Sequence, residues 1–154
     1  MAEPVFVDDA FEVIALKGRI DRQADKLPPS ELRLLRLMHR WKSSQYPDTL
    51  EKMARNPITN YTERDLFRHV GSSGFAKTRL ELHLESVRKP PMSWQFFLDT
   101  APHPLAKPLR AILAEQFTLD EREFFEKELR PSIETHQFSG TSHMAYVTAQ
   151  KQLS

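Results

Sequence analysis

The chain has 154 residues, 40% of them hydrophobic and 28% charged, with 22 Lys plus Arg against 21 Asp plus Glu for a formal net charge of +1. Such a composition belongs to one folded domain rather than a disordered tail, and the balanced charge offers no global attraction for phosphate backbones, which argues against a nucleic-acid partner. No cysteine is present, which excludes disulfides, thiolate zinc sites and cysteine nucleophiles together.

The opening Met1-Ala2-Glu3-Pro4 has neither the basic start nor the apolar run of a secretory signal, and no apolar stretch has bilayer length. A cytoplasmic location without a membrane partner is therefore expected. Val5 to Val7 reads as the tail of a strand stopping at Asp8 and Asp9, and Asp9 is placed to cap a helix from Ala10 to Gln23 carrying Phe11, Val13, Ile14, Leu16 and Ile20. Pro28-Pro29-Ser30 breaks the chain, and a leucine-rich helix follows through Leu32, Leu34, Leu35, Leu37, Met38 and Trp41.

Ser43 to Asp48 reads as a turn and Thr49 to Arg55 as a short helix, stopped at Asn56-Pro57 because a residue before proline avoids helical backbone. Thr62 and Asp65 form a capping box for a helix from Glu63 to Val70, with Gly71 and Gly74 supplying the stop. Leu80, Leu82 and Leu84 alternate with charged residues and His83, the period of a strand with one apolar face. After Pro90-Pro91 the chain is helical: Ser93 to Leu98, Pro104 to Phe117, and Leu119 to Leu129 behind a Thr118/Glu121 capping box, then a turn from Pro131. A polar stretch, Glu134 to Ser142, leads to the strand Met144 to Ala149, expected to pair with Arg79 to Val87 before a polar tail.

The segment Asn56-Pro57-Ile58-Thr59-Asn60-Tyr61-Thr62-Glu63-Arg64-Asp65-Leu66, with Gly74-Phe75 and the strand Arg79 to Leu84, resembles the last crossover of class I S-adenosylmethionine-dependent methyltransferases of the type 11-like kind, where a helix leads through a Gly-Phe turn into the sixth strand. Ala2-Glu3-Pro4-Val5 resembles the end of the family's fifth strand, and Met144 to Ala149 its seventh, antiparallel strand. Trp94-Gln95-Phe96-Phe97-Leu98 and Pro102-His103-Pro104-Leu105-Ala106 look like the helical insertion, here residues 90–137, that one subgroup carries between its last two strands.

The resemblance implies an α/β fold: a partial Rossmann-like methyltransferase fold, mostly helical with an antiparallel C-terminal strand pair, in which residues 1–154 form a single domain equivalent to the substrate-side half. It implies no cofactor site in this chain. The family's Gly-rich loop and ribose-binding acid have no counterpart, since Gly18, Gly71, Gly74 and Gly140 contain no G-x-G. S-adenosylmethionine would be held only through a methyltransferase-like partner chain. The function implied is a subunit of a split methyltransferase that completes the sheet and shapes the acceptor pocket for a small or lipidic metabolite of secondary metabolism. The rival readings are a non-catalytic homodimeric binding module derived from such an enzyme, and a segment of a longer enzyme.

Six residues are candidates for the acceptor pocket. Glu3 lies at the C-terminal end of a strand, where open α/β sheets bind ligands, and is weighed evenly against a solvated chain end. His39 and Trp41 end the leucine-rich helix, where a packing role is favoured. Trp94, Phe97 and His103 belong to an aromatic insertion of the kind that walls apolar pockets. No catalytic residue is assigned. None of the six histidines has the zinc-helix spacing, so no metal is expected.

Overall fold

The computed structural model describes residues 1–135 and 139–151 and shows a mixed α/β chain with one antiparallel three-stranded sheet. Its elements in order are β1 (Ala2–Pro4), α1 (Val7–Gln23), α2 (Pro29–Ser43), α3 (Leu50–Arg55), α4 (Glu63–Gly71), β2 (Lys77–Arg88), α5 (Trp94–Asp99), α6 (Leu109–Gln116), α7 (Leu119–Ile133) and β3 (Ser139–Gln150). The sheet order is β1-β3-β2, so the last strand lies between the other two. It runs antiparallel to both, with Leu80 opposite Val147, Leu82 opposite Ala145 and Glu3 opposite Ala145. Both Thr capping boxes form as expected.

Several boundaries depart from the sequence reading. The first strand is Ala2–Pro4, and Val5 to Val7 instead turns into a helix that starts at Val7, three residues before Ala10. Phe6 occupies the N-cap without a side-chain cap, so Asp9 is not the cap. It joins Asp8 in the first turn, where the helix dipole favours a carboxylate. Pro104 to Lys107 does not join α6. Lys107 precedes Pro108 and is steered out of helical backbone, so the helix begins at Leu109 with Pro108 as its N-cap. Pro131 does not end α7, which continues to Ile133.

The third strand starts at Ser139 rather than Met144, because the twelve-residue β2 supplies a ladder partner as far as Arg88. Pairing outweighs weak propensity there. The last residues of the expected insertion, 136 and 137, and the tail 152–154 lie outside the described residues.

Two apolar clusters hold these elements. The larger joins α2, α5, α6 and α7 around Trp41, Trp94, Ile112 and Phe125. Trp41 meets Phe97 and Phe125 edge-on at 5.8 and 5.9 Å, and Trp94 stacks on Phe97 at 5.7 Å. The smaller joins the sheet to α1 and α3 through Val5, Val7, Ala10, Met53 and Ala145, with Leu66 and Leu80 packed against it. This second cluster seats α1 directly after the C-terminal end of β1. Beyond Leu80 the cover ends, leaving Leu82 at 39% and Leu84 at 60% exposure.

Candidate functional site

The site begins with helix geometry. On α1, Asp9, Glu12, Val13 and Leu16 follow the i, i+3, i+4, i+7 spacing that shares one face, and Met38 and Lys42 are one turn apart on α2. Tyr46 continues the turn after α2, its N–H donating to the Lys42 carbonyl at 2.9 Å. These seven side chains line a cleft of about 140 Å³ between the two helices. Its first lining residue, Asp9, lies five residues after Pro4, where β1 ends.

The cleft combines an apolar wall with four polar groups, of which Tyr46 is buried, Asp9 and Lys42 are half-buried and Glu12 is exposed. Burial, then repulsion by Glu12, holds the Asp9 carboxyl above its ordinary range, against the pull of His143 and Lys42. Burial depresses the Lys42 ammonium, against the attraction of Asp9 and Glu12. Burial also raises the Tyr46 phenol, reinforced by the nearby charges of Asp9 and Glu12. Perturbed acids and bases gathered in a cleft make it a candidate functional site.

Lys42 reaches the cleft over the Trp41 ring, 4.2 Å from its centroid. Among the described residues no oxygen hydrogen-bonds that ammonium, and its recorded contact is the Trp41 ring. His143 of β3 pairs with Asp8 alongside.

The residues singled out from sequence are dispersed around this cleft. His103 is buried behind Tyr46, with ring centroids 5.1 Å apart and Phe6 on its other flank at 5.4 Å. Its Nε2 donates to the Gln45 carbonyl at 2.9 Å and its Nδ1 accepts from the Leu105 N–H at 3.3 Å. It therefore clamps two loops together. Gln45 returns the tie by donating through Nε2 to the Lys107 carbonyl.

Trp41 lies under Lys42 but within the large core, and Trp94, 2% exposed, lies deeper in the same core. Phe97 is half-buried between the two tryptophans. Interdigitation of four helices packs these three rings together, the packing role favoured from sequence for Trp41, and none of the three lines the cleft. Glu3 accepts from the Tyr61 hydroxyl at 3.1 Å and does not line the cleft. Burial, then this bond, raises the Tyr61 phenol.

His39 faces away from the cleft, 3.7 Å from Asp48. Burial depresses its imidazole, with the Asp48 charge opposing. Asp48 also binds Lys52 at 2.6 Å, a bond that holds its carboxyl low.

Asp9, Glu12, Lys42 and Tyr46 were not identified from sequence. The 9-12-13-16 spacing was the available signal, but Asp9 reads equally well as a cap and Lys42 as a solvated helix end.

The glycines bear on whether this chain could hold a nucleotide methyl donor. Gly18 is inside α1, Gly71 ends α4, Gly74 leads into β2 and Gly140 lies in β3. None joins the end of a strand to the start of a helix, the turn in which a Gly-rich loop lets backbone approach a nucleotide. These residues do not fit that group. Among the described residues there is also no cluster of three metal-ligating side chains, and no helix is long and apolar enough to cross a membrane. No family model, no curated protein and no solved structure matches this chain.

Proposed function

We propose that this chain is the acceptor-side half of a split class I S-adenosylmethionine-dependent methyltransferase, whose cofactor-binding half is carried by a partner chain. The observation that carries the reading is the juxtaposition of topology and cleft. The last strand runs antiparallel between β1 and β2, the orientation the resemblance expects of it. Among the described residues the short β1 pairs with β3 alone, its other edge is where the sheet of a Rossmann-like partner would continue, and the helix that follows it lines the polar cleft. An unpaired strand edge also favours association with another chain.

In this reading the chain's own residues bind and orient the acceptor. Val13, Leu16 and Met38 take its apolar body, while Lys42, Asp9 and Glu12 hold its polar end. Such positioning is worth up to about 7–11 kcal/mol of a barrier. The cofactor would supply the electrophilic methyl group from the partner's side.

The test is complementation. The chain is mixed with the product of a neighbouring reading frame that encodes a Gly-rich half without the C-terminal strands. Light scattering should show a one-to-one complex, and calorimetry should show S-adenosylmethionine binding that requires both chains. A specific interface should bury at least about 1,000 Å² in total. A monodisperse monomer at micromolar concentration, indifferent to that product, would sink the proposal. So would a one-to-one cofactor isotherm with this chain alone.

A further inference from the structure

The cleft between α1 and α2 has a size, a charge pattern and a directionality that together select a ligand. We infer that it binds a small, uncharged, single-ring alcohol of the phenol or cyclic enol type, the hydroxyl oxygen accepting from Lys42 and the O–H donating to the Asp9 or Glu12 carboxylate. The inference rests on the cleft being the acceptor site proposed above.

Size comes first. A volume of about 140 Å³ is close to the ~150 Å³ cavity known to admit benzene, and below the ~300 Å³ at which pockets for larger ligands begin. One ring fits. Its apolar faces would meet Val13, Leu16 and Met38, and a methionine thioether makes favourable contacts with aromatic rings.

Charge comes second. The lining holds two carboxylates, Asp9 and Glu12, and one ammonium, Lys42. An anionic ligand would be repelled by the carboxylates, and a cationic one would confront the like charge of Lys42. A hydroxyl is both acceptor and donor, so it can satisfy groups of both signs without adding a charge.

Directionality comes third. Lys42 is held over the Trp41 ring with no hydrogen-bonded oxygen among the described residues. The ammonium is therefore the donor most in need of a partner. A ligand oxygen in the cleft that Lys42 lines would supply that partner.

The experiment uses the full chain alone, without companion or methyl donor, and compares phenol, benzylamine and benzoate by ligand-observed NMR and calorimetry. Phenol should bind saturably, and the charged analogues at least about tenfold more weakly. Lys42→Met, which keeps the stem and removes the donors, should weaken phenol at least about tenfold in a protein whose far-ultraviolet spectrum is unchanged. Leu16→Trp, which fills the cleft without altering charge, should abolish phenol binding. It decides the matter together with the ligand ranking if Lys42→Met fails to fold.

Benzylamine or benzoate binding as tightly as phenol, or phenol binding that survives Leu16→Trp, would overturn the inference. Complementation by a companion without any phenol preference would overturn it while leaving the split enzyme standing. The expected ranking in a chain indifferent to every companion would do the reverse.

Discussion

His103 Nε2 lies 2.9 Å from the Gln45 carbonyl oxygen, tying the turn before α6 to the loop after α2 across a sequence separation of 58 residues. The bond is buried, and the imidazole also supports Tyr46 and Phe6. Replacing His103 by Ala leaves the Gln45 carbonyl unsatisfied in the interior and removes two ring contacts. Loss of a buried hydrogen bond costs about 1–3 kcal/mol. Urea denaturation should show a loss of that order or slightly more, and an unchanged midpoint would mean that the clamp carries no weight.

Trp94 provides the counterpart in the large core. At 2% exposure and stacked on Phe97, its truncation to Ala should cost about 3–5 kcal/mol through lost transfer energy and a residual cavity. That is a large share of a domain's stability, so the variant should be substantially unfolded at physiological temperature, by near-ultraviolet circular dichroism. A stable Trp94→Ala chain with impaired phenol binding would restore the pocket-wall role expected from sequence.

Two carboxylates should impose opposite pH dependences on stability. Asp48 is held below its ordinary value of 3.8, first by the Lys52 hydrogen bond. Its contribution is therefore present in full above that value and lost as pH falls through the depressed folded value. Asp9 is raised above 3.8, first by burial. The folded state then binds the proton more tightly than the unfolded state, and a cost appears as pH rises through the raised folded value. Near neutral pH, Asp48→Asn should lower the thermal midpoint and Asp9→Asn should raise it. Both differences from the parent should shrink toward about pH 3. Midpoints recorded across that range check both signs, and a destabilising Asp9→Asn at neutral pH would contradict the burial cost assigned to the cleft.

A stabilising Asp9→Asn would also mean that the cleft retains a charge which folding does not favour, as functional sites commonly do.

What the sequence determined by itself was local. The Thr62/Asp65 and Thr118/Glu121 capping boxes, the leucine-rich α2, and the alternating Leu80, Leu82 and Leu84 were legible because each is decided by neighbours within one turn or one pleat. Even the pairing of the last two strands followed from their apolar patterns. The tertiary structure decided everything that depends on distant partners. Ser139 to Ser142 extend because β2 offers a ladder there, and Trp41 and Trp94 are core because four helices close over them. The insertion of β3 beside β1 seats α1 past the strand's end, and only then does α2 bring Lys42 and Tyr46 opposite Asp9 and Glu12. A helical spacing announces that side chains share a face. Which face meets which, and so whether a carboxylate caps a helix or lines a cleft, is settled by packing between segments far apart in the chain.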